Sequence, residues 1–125
     1  MILTLILPLF QKSAQFNINW NIEKFGTTPF QLACQNGHSK VAEMLIQKSA
    51  AFNIEMNIKK DSGFTAFHLP CNNGHSKIAE MIINKSAEFN IDLSLKDQDH
   101  YTAFHHACKN NKLEVVSMLM QKSAE

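Results

Sequence analysis

The segment Thr28-Pro29-Phe30-Gln31-Leu32-Ala33-Cys34 returns as Thr65-Ala66-Phe67-His68-Leu69-Pro70-Cys71, and again as Thr102-Ala103-Phe104-His105-His106-Ala107-Cys108. Each copy stands 37 residues after the last. Asn36-Gly37-His38-Ser39-Lys40 returns as Asn73-Gly74-His75-Ser76-Lys77 in the same register. Gln47-Lys48-Ser49-Ala50 recurs at Asn84-Lys85-Ser86-Ala87 and Gln121-Lys122-Ser123-Ala124, and an earlier copy, Gln11-Lys12-Ser13-Ala14, lies one step of 36 upstream. A period of this length is the mark of stacked supersecondary units. A unit so short cannot bury both of its faces alone, so neighbours must share one continuous seam.

Each unit reads as two helices and a loop. The first helix opens at the Thr, whose hydroxyl suits an N-cap, and Pro29 suits the first helical position. Gly37 and Gly74 close it, where a left-handed cap is required, and Asn111 takes that place in the third unit. The second helix starts near Ser39, Ser76 or Lys112. Val41, Ala42, Leu45 and Ile46 form its apolar face, repeated by Ile78, Ala79, Ile82 and Ile83 and by Val115, Val116, Leu119 and Met120. Glu43 and Glu80 fall on the outward side. Lys60-Asp61-Ser62-Gly63 and Asp97-Gln98-Asp99-His100 read as tight turns between units.

The chain has 125 residues, 45% of them apolar, so it should fold without disulfides or metal. Twelve Lys, no Arg and 11 acidic residues give a net charge of +1. That balance offers no field for nucleic acid or an acidic membrane, and the Arg fork that reads guanine is missing. Three cysteines are too few, and the wrong parity, for a secreted disulfide scaffold. An intracellular, cytoplasmic location is expected. Met1 to Phe10 is strongly apolar but too short to span a bilayer, and it lacks the positive start of an export signal.

Thr-Pro-Phe-Gln-Leu-Ala-Cys, its two copies and the Asn-Gly-His that follows resemble the signature of ankyrin repeats, whose unit is 33 residues. The resemblance covers nearly the whole chain. It implies an all-α solenoid of stacked helix-turn-helix units with hairpin loops. Residues 1–25 then form a partial repeat, 26–61 and 62–98 two complete ones, and 99–125 a third cut short at its end. In this frame Leu5, Ile6, Leu9 and Phe10 align with Val41, Ala42, Leu45 and Ile46. Met1 to Phe10 becomes the second helix of a repeat whose first is absent, with Pro8 breaking it. Neither end carries a polar capping repeat, so flanking repeats of a longer array are expected.

Four residues beyond the family's period fall within Ala51-Phe52-Asn53-Ile54 and Glu88-Phe89-Asn90-Ile91. They add one helical turn closed by Phe52 or Phe89, or else lengthen the loop. Pro70 should kink or weaken its helix. His100 stands where Gly26 and Gly63 supply a turn glycine, so it must adopt a positive φ. The first hairpin is one residue short. Gln31 replaces the signature His, which the family hydrogen-bonds near the turn Thr.

No catalytic constellation emerges. Cys34, Cys71 and Cys108 hold one position per repeat and read as buried thiols, too far apart to pair. Cys34 with His38 and Cys71 with His75 offer two ligands where structural zinc takes four. His105 and His106 diverge on a helix, and recurrent serines are explained by capping. Neither a metal nor a cofactor is expected, nor enzymatic activity.

What remains is surface. The resemblance implies a concave groove made by hairpin tips and first helices. By position it displays Phe25, Thr27, Ser62, Phe64, Asp99 and Tyr101 from the turns, and Gln35, Asn36, Asn72, Asn73, Lys109 and Asn110 from the helix ends. Phe64 and Tyr101 are the sharpest pointers if exposed, because aromatics anchor protein interfaces; packing on the neighbouring turn is the alternative. The expected function is binding an unidentified protein partner, without nucleic acid or membrane insertion. The alternatives are a structural segment of a larger membrane-linked or channel protein, and a degenerate fragment with no partner.

Overall fold

The structure, a computed structural model, describes residues 18–124. Six helices follow in order: α1 (Pro29–Gln35), α2 (Ser39–Gln47), α3 (His68–Asn73), α4 (Ser76–Lys85), α5 (Ala103–Lys109) and α6 (Leu113–Ser123). Each short helix packs on the longer one that follows it. The pairs then stack, α3 between α1 and α5 in one layer and α4 between α2 and α6 in the other. The described residues hold no strand; one isolated bridge joins Lys24 and Thr27. The architecture is an all-α solenoid, and the expected second helix at Met1 to Phe10 lies outside the described residues.

Local chemistry accounts for the helix ends. Thr28 Oγ1 accepts the Gln31 N–H at 3.2 Å while Gln31 Oε1 accepts the Thr28 N–H at 2.9 Å. This reciprocal capping box satisfies two otherwise orphaned donors and contributes about 1 kcal/mol. Thr102 and His105 repeat it at α5. Gly37, Gly74 and Asn111 all adopt positive φ after the first helix. The next residue's N–H then reaches back to the Ala33, Pro70 or Ala107 carbonyl at 3.0, 2.8 and 3.0 Å, as a left-handed cap requires.

Pro70 shifts a boundary rather than kinking a helix. By analogy with α1 and α5, α3 should begin at Ala66, yet it begins at His68. The later start places Pro70 in the first turn, where its missing N–H has no intrahelical partner to lose. The extra four residues also resolve into a separate feature. After α2 a single turn is closed by Phe52 N–H to the Lys48 carbonyl at 3.1 Å, then by Ile54 N–H to the Ser49 carbonyl at 2.8 Å. Phe89 and Ile91 repeat both bonds after α4. Asn53 and Asn90 take positive φ there, the second-best residue after Gly for that region. The helix therefore stops, and one capped turn follows it.

The seam follows the repeat. Phe30, Cys34, Leu45 and Ile46 are buried, as are Phe67, Cys71, Ile78, Ala79 and Ile82. Full burial of each large apolar side chain contributes roughly 1.5–3 kcal/mol. Val41 departs from the expected face: it is 48% exposed, and Leu32 is 51% exposed, although their counterparts Ile78 and Leu69 are buried. Met120 departs at the opposite end, where it too is exposed.

Candidate partner-binding groove

Three hairpins recur along the stack, and the first is built differently from the other two. The first is a two-residue loop: Lys24 and Thr27 exchange N–H to carbonyl bonds at 3.0 and 3.1 Å. A loop this short that matches strand twist needs positive φ at both central residues. Phe25 and Gly26 have φ of 53° and 73°. The missing residue thus forces a bulky residue into the left-handed region, and Phe25 is 94% exposed there. The second and third hairpins are three-residue loops, closed by Lys60 N–H to the Phe64 carbonyl at 2.8 Å and by Asp97 N–H to the Tyr101 carbonyl at 2.9 Å. Gly63 and His100 hold the positive-φ position. His100 therefore does what its place demands, and Asp97 Oδ1 supports it by accepting the Asp99 and Tyr101 N–H groups, each at 2.9 Å.

The expected groove residues divide into three groups. Phe25, Ser62, Asp99, Asn36, Asn73, Lys109 and Asn110 are exposed. Thr27, Gln35 and Asn72 are half-buried, and their neighbours already use them. The Gln35 carbonyl accepts from Asn73 Nδ2 at 3.2 Å and from His75 Nε2 at 2.9 Å, while Asn110 Nδ2 donates to Asn72 Oδ1 at 2.5 Å. Phe64 and Tyr101, expected as exposed anchors, are half-buried instead. The Phe64 ring stacks on His68 at 5.2 Å and meets His106 at 4.7 Å; Tyr101 meets His106 at 5.3 Å and carries Lys109 Nζ over its face at 5.1 Å. Each turn aromatic packs against a first-helix histidine, which accounts for its half-burial.

Two groups escaped the sequence. His106 Nε2 donates to Asp97 Oδ2 at 2.6 Å, with both residues buried. Burial alone would raise the Asp97 carboxyl. His106 and the Tyr101 and Asp99 N–H groups outweigh that and hold it below its ordinary range. The readable signal is a joint exchange: Lys24 and Lys60 precede Asp97 in register, and Leu32 and Leu69 precede His106. Asn21 and Asn57 were also missed. Asn21 donates to the Asn53 carbonyl at 2.7 Å and accepts the Glu55 N–H at 2.8 Å. Asn57 does the same with Asn90 and Asp92, at 2.8 and 2.9 Å. Each primary amide stands in for a peptide unit and ties one repeat to the next.

The signature histidines act as the resemblance implied. His68 Nδ1 accepts the Thr65 N–H at 3.2 Å, which puts the ring proton on Nε2, donating to the Tyr101 carbonyl at 3.1 Å. Burial lowers the His68 pKa most, with the neighbouring His106 acting the same way, against the raising effect of the Tyr101 carbonyl. Gln31 reproduces this with an amide: Oε1 accepts from Thr28, and Nε2 donates to the Ile58 carbonyl at 2.7 Å.

Burial pushes the Cys34 and Cys71 thiols up to about 12, so both stay protonated. Cys108 is exposed, against expectation, because no described unit covers it. Among the described residues no group of three or more His, Cys, Asp or Glu is placed to hold a metal ion, and no helix is long and apolar enough to cross a membrane.

A family model described as ankyrin repeats in three copies matches residues 3–93, and one described as an ankyrin repeat matches residues 99–125. No curated protein matches the chain. The stacked helix pairs, the Thr–His caps and these two matches together place the chain in the ankyrin repeat family.

Proposed function

We propose that this chain binds a protein partner through the concave side formed by its hairpin tips and first helices. Ankyrin repeats are in general protein–protein interaction modules. The observation that carries the specific reading is Phe25, a large aromatic held at φ 53° and 94% exposed at the first hairpin tip. Holding a bulky residue there costs about 1 kcal/mol or more, and aromatics are favoured binding anchors. Ser62 and Asp99 extend the line of exposed tips, and Asn36, Asn73, Lys109 and Asn110 line the helix ends. Rigid, pre-hydrogen-bonded turns meet a partner with little ordering cost. Phe64 and Tyr101 then support the tips rather than anchor the partner. No catalytic role is part of this reading.

The test places a photo-crosslinking residue at position 25 or 62 and, as a control, at 43 on the opposite face. The expected result is one partner band from positions 25 and 62, lost with Phe25→Gly where the crosslinker is at 62, and absent from 43. Equal labelling from 43 would overturn the groove assignment.

A second reading, that further elements flank the array, is supported by the open apolar end of the stack around Phe104 and Met120. Preserved isolated folding with no gain from any added element would remove it.

A further inference from the structure

The two junctions of the stack answer a proton differently. At the first, Gln31 works in both directions: Oε1 accepts the Thr28 N–H at 2.9 Å, and Nε2 donates at 2.7 Å to the Ile58 carbonyl on the arm of the next hairpin. An amide does not titrate, so acid leaves both bonds in place. His75 also crosses this junction, with Nε2 donating to the Gln35 carbonyl at 2.9 Å. That bond needs only a donor, and a protonated ring still supplies one. At the second junction His68 holds Gln31's place in the repeat. Its Nδ1 accepts the Thr65 N–H at 3.2 Å while its Nε2 donates to the Tyr101 carbonyl at 3.1 Å. Only a neutral ring can accept on one side and donate on the other. A second proton would set donor against donor at Thr65.

The surroundings give that proton no relief. His68 is buried, with the Phe64 ring stacked on it at 5.2 Å and the His106 ring 5.8 Å away. The charged or titratable groups facing it are His106 on α5, Asp97 at the third hairpin and Lys59 on the arm of the second. A positive charge on His106 or Lys59 repels one on His68. Asp97 attracts it, but that carboxylate is already engaged: Oδ2 accepts from His106 at 2.6 Å, and Oδ1 accepts the Asp99 and Tyr101 N–H groups. The His106 bond itself does not depend on acid, because Nε2 carries its proton in the neutral ring as well. Burial thus lowers the His68 pKa while the junction is closed. Parting the units returns the ring to water, where it takes a proton near its ordinary value of about 6.5. The open form binds the proton more tightly, so falling pH favours opening.

We infer that the interface between the second and third units is a pH-gated hinge, shut at neutral pH and opened by mild acid while the first interface stays shut. In the open form Phe64 and His68 part from Tyr101, Asp97 and His106, and α5 lifts from α3. The hinge operates whether or not a partner occupies the hairpin tips.

Three cysteines in one repeat position report the opening. Cys34 and Cys71 are buried, with a further unit stacked beyond each, and Cys108 is exposed. The native chain is treated with dithiodipyridine, a disulfide that labels thiols in mild acid as well as at neutral pH. Each labelling rate is divided by that of Cys108. Asp97, held below its ordinary range, keeps its charge throughout the series. Between about pH 7 and about pH 5 the Cys71 ratio is expected to rise by about ten-fold. The Cys34 ratio is expected to change by less than about two-fold. His68→Gln, which copies Gln31, is expected to abolish the rise, and Cys34 protected at neutral pH shows that this variant folds. His105→Gln, the same exchange at an exposed cap within the third unit, is expected to keep it. A flat Cys71 ratio, or an equal rise at Cys34, would overturn the hinge. So would a rise that survives His68→Gln or vanishes with His105→Gln.

Discussion

The first and second units meet through one chemistry, the second and third through another. At the first junction the hairpin offers Lys60 and the helix a buried Leu69. Lys60 Nζ lies 3.5 Å from Gln35 Oε1, a long, half-buried contact. At the second junction the same two places hold Asp97 and His106, hydrogen-bonded at 2.6 Å and buried beneath Phe64 and Tyr101. The hairpins also approach differently. A Cβ on Gly26 would make only ordinary contact with the Asp61 side chain at 3.4 Å, while one on Gly63 would strike backbone. A repeat position can thus pass from apolar to charged burial, provided its partner changes with it; one exchange alone would bury an unpaired group.

The largest effect should come from the hairpin contact. Gly63→Ala is expected to cost about 3 kcal/mol, from backbone overlap added to an unfavourable φ. Gly26→Ala, with the φ penalty alone, should cost about 1 kcal/mol. Urea unfolding midpoints compare the two, and equal losses would erase the distinction between the junctions.

Next is the buried pair. Asp97→Ala removes the partner of His106 and the acceptor of two hairpin N–H groups, and should cost about 2–3 kcal/mol. Lys60→Ala should stay within about 0.5 kcal/mol. Joint Asp97→Lys and His106→Leu, which imports the first junction's solution, should recover most of the loss in the same assay.

A pH series separates His68 from Gln31. The folded His68 pKa is lowered, so the unfolded chain takes up a proton first as pH falls. Stability from this residue is complete above the unfolded value of about 6.5 and declines as pH drops from there toward the folded value. A proton on Nδ1 would also face the Thr65 N–H, donor against donor. His68→Gln, copying Gln31, should flatten that part of the stability profile; an unchanged slope would assign the pH dependence elsewhere. Asp97 acts lower on the scale. Its folded pKa is depressed, so its contribution is present above about 3.9 and is lost as pH falls through the folded value.

The smallest effect has the opposite sign. Phe25→Gly should stabilise the chain by about 0.5–1 kcal/mol, because φ 53° suits glycine. A thermal melt that rises while partner crosslinking falls would separate strain from binding at that tip.

The architecture was readable because each local requirement returns in register. Thr28 and Thr102 announced helix starts, Gly37, Gly74 and Asn111 announced stops, and His100 announced a positive φ before any contact was visible. The start of α3 lies two residues past the repeat register, because Pro70 acts through a bond to a residue four places earlier. The candidate groove was legible only in outline. Positions were assignable, but Phe64 and Tyr101 looked the same on paper whether a partner or a histidine lay beneath them.

By itself, then, the sequence determined the period, the helices and the backbone signs of the turns, since these depend on residues within one turn of each other. The tertiary structure alone decided coverage. Cys71 is buried and Cys108 exposed, and Gly63 is crowded by the next hairpin's backbone while His100 carries a full side chain, although each pair shares one place in the repeat. What separates them is whether a layer lies against them from the next unit, and burial is set by that neighbour rather than by the residue.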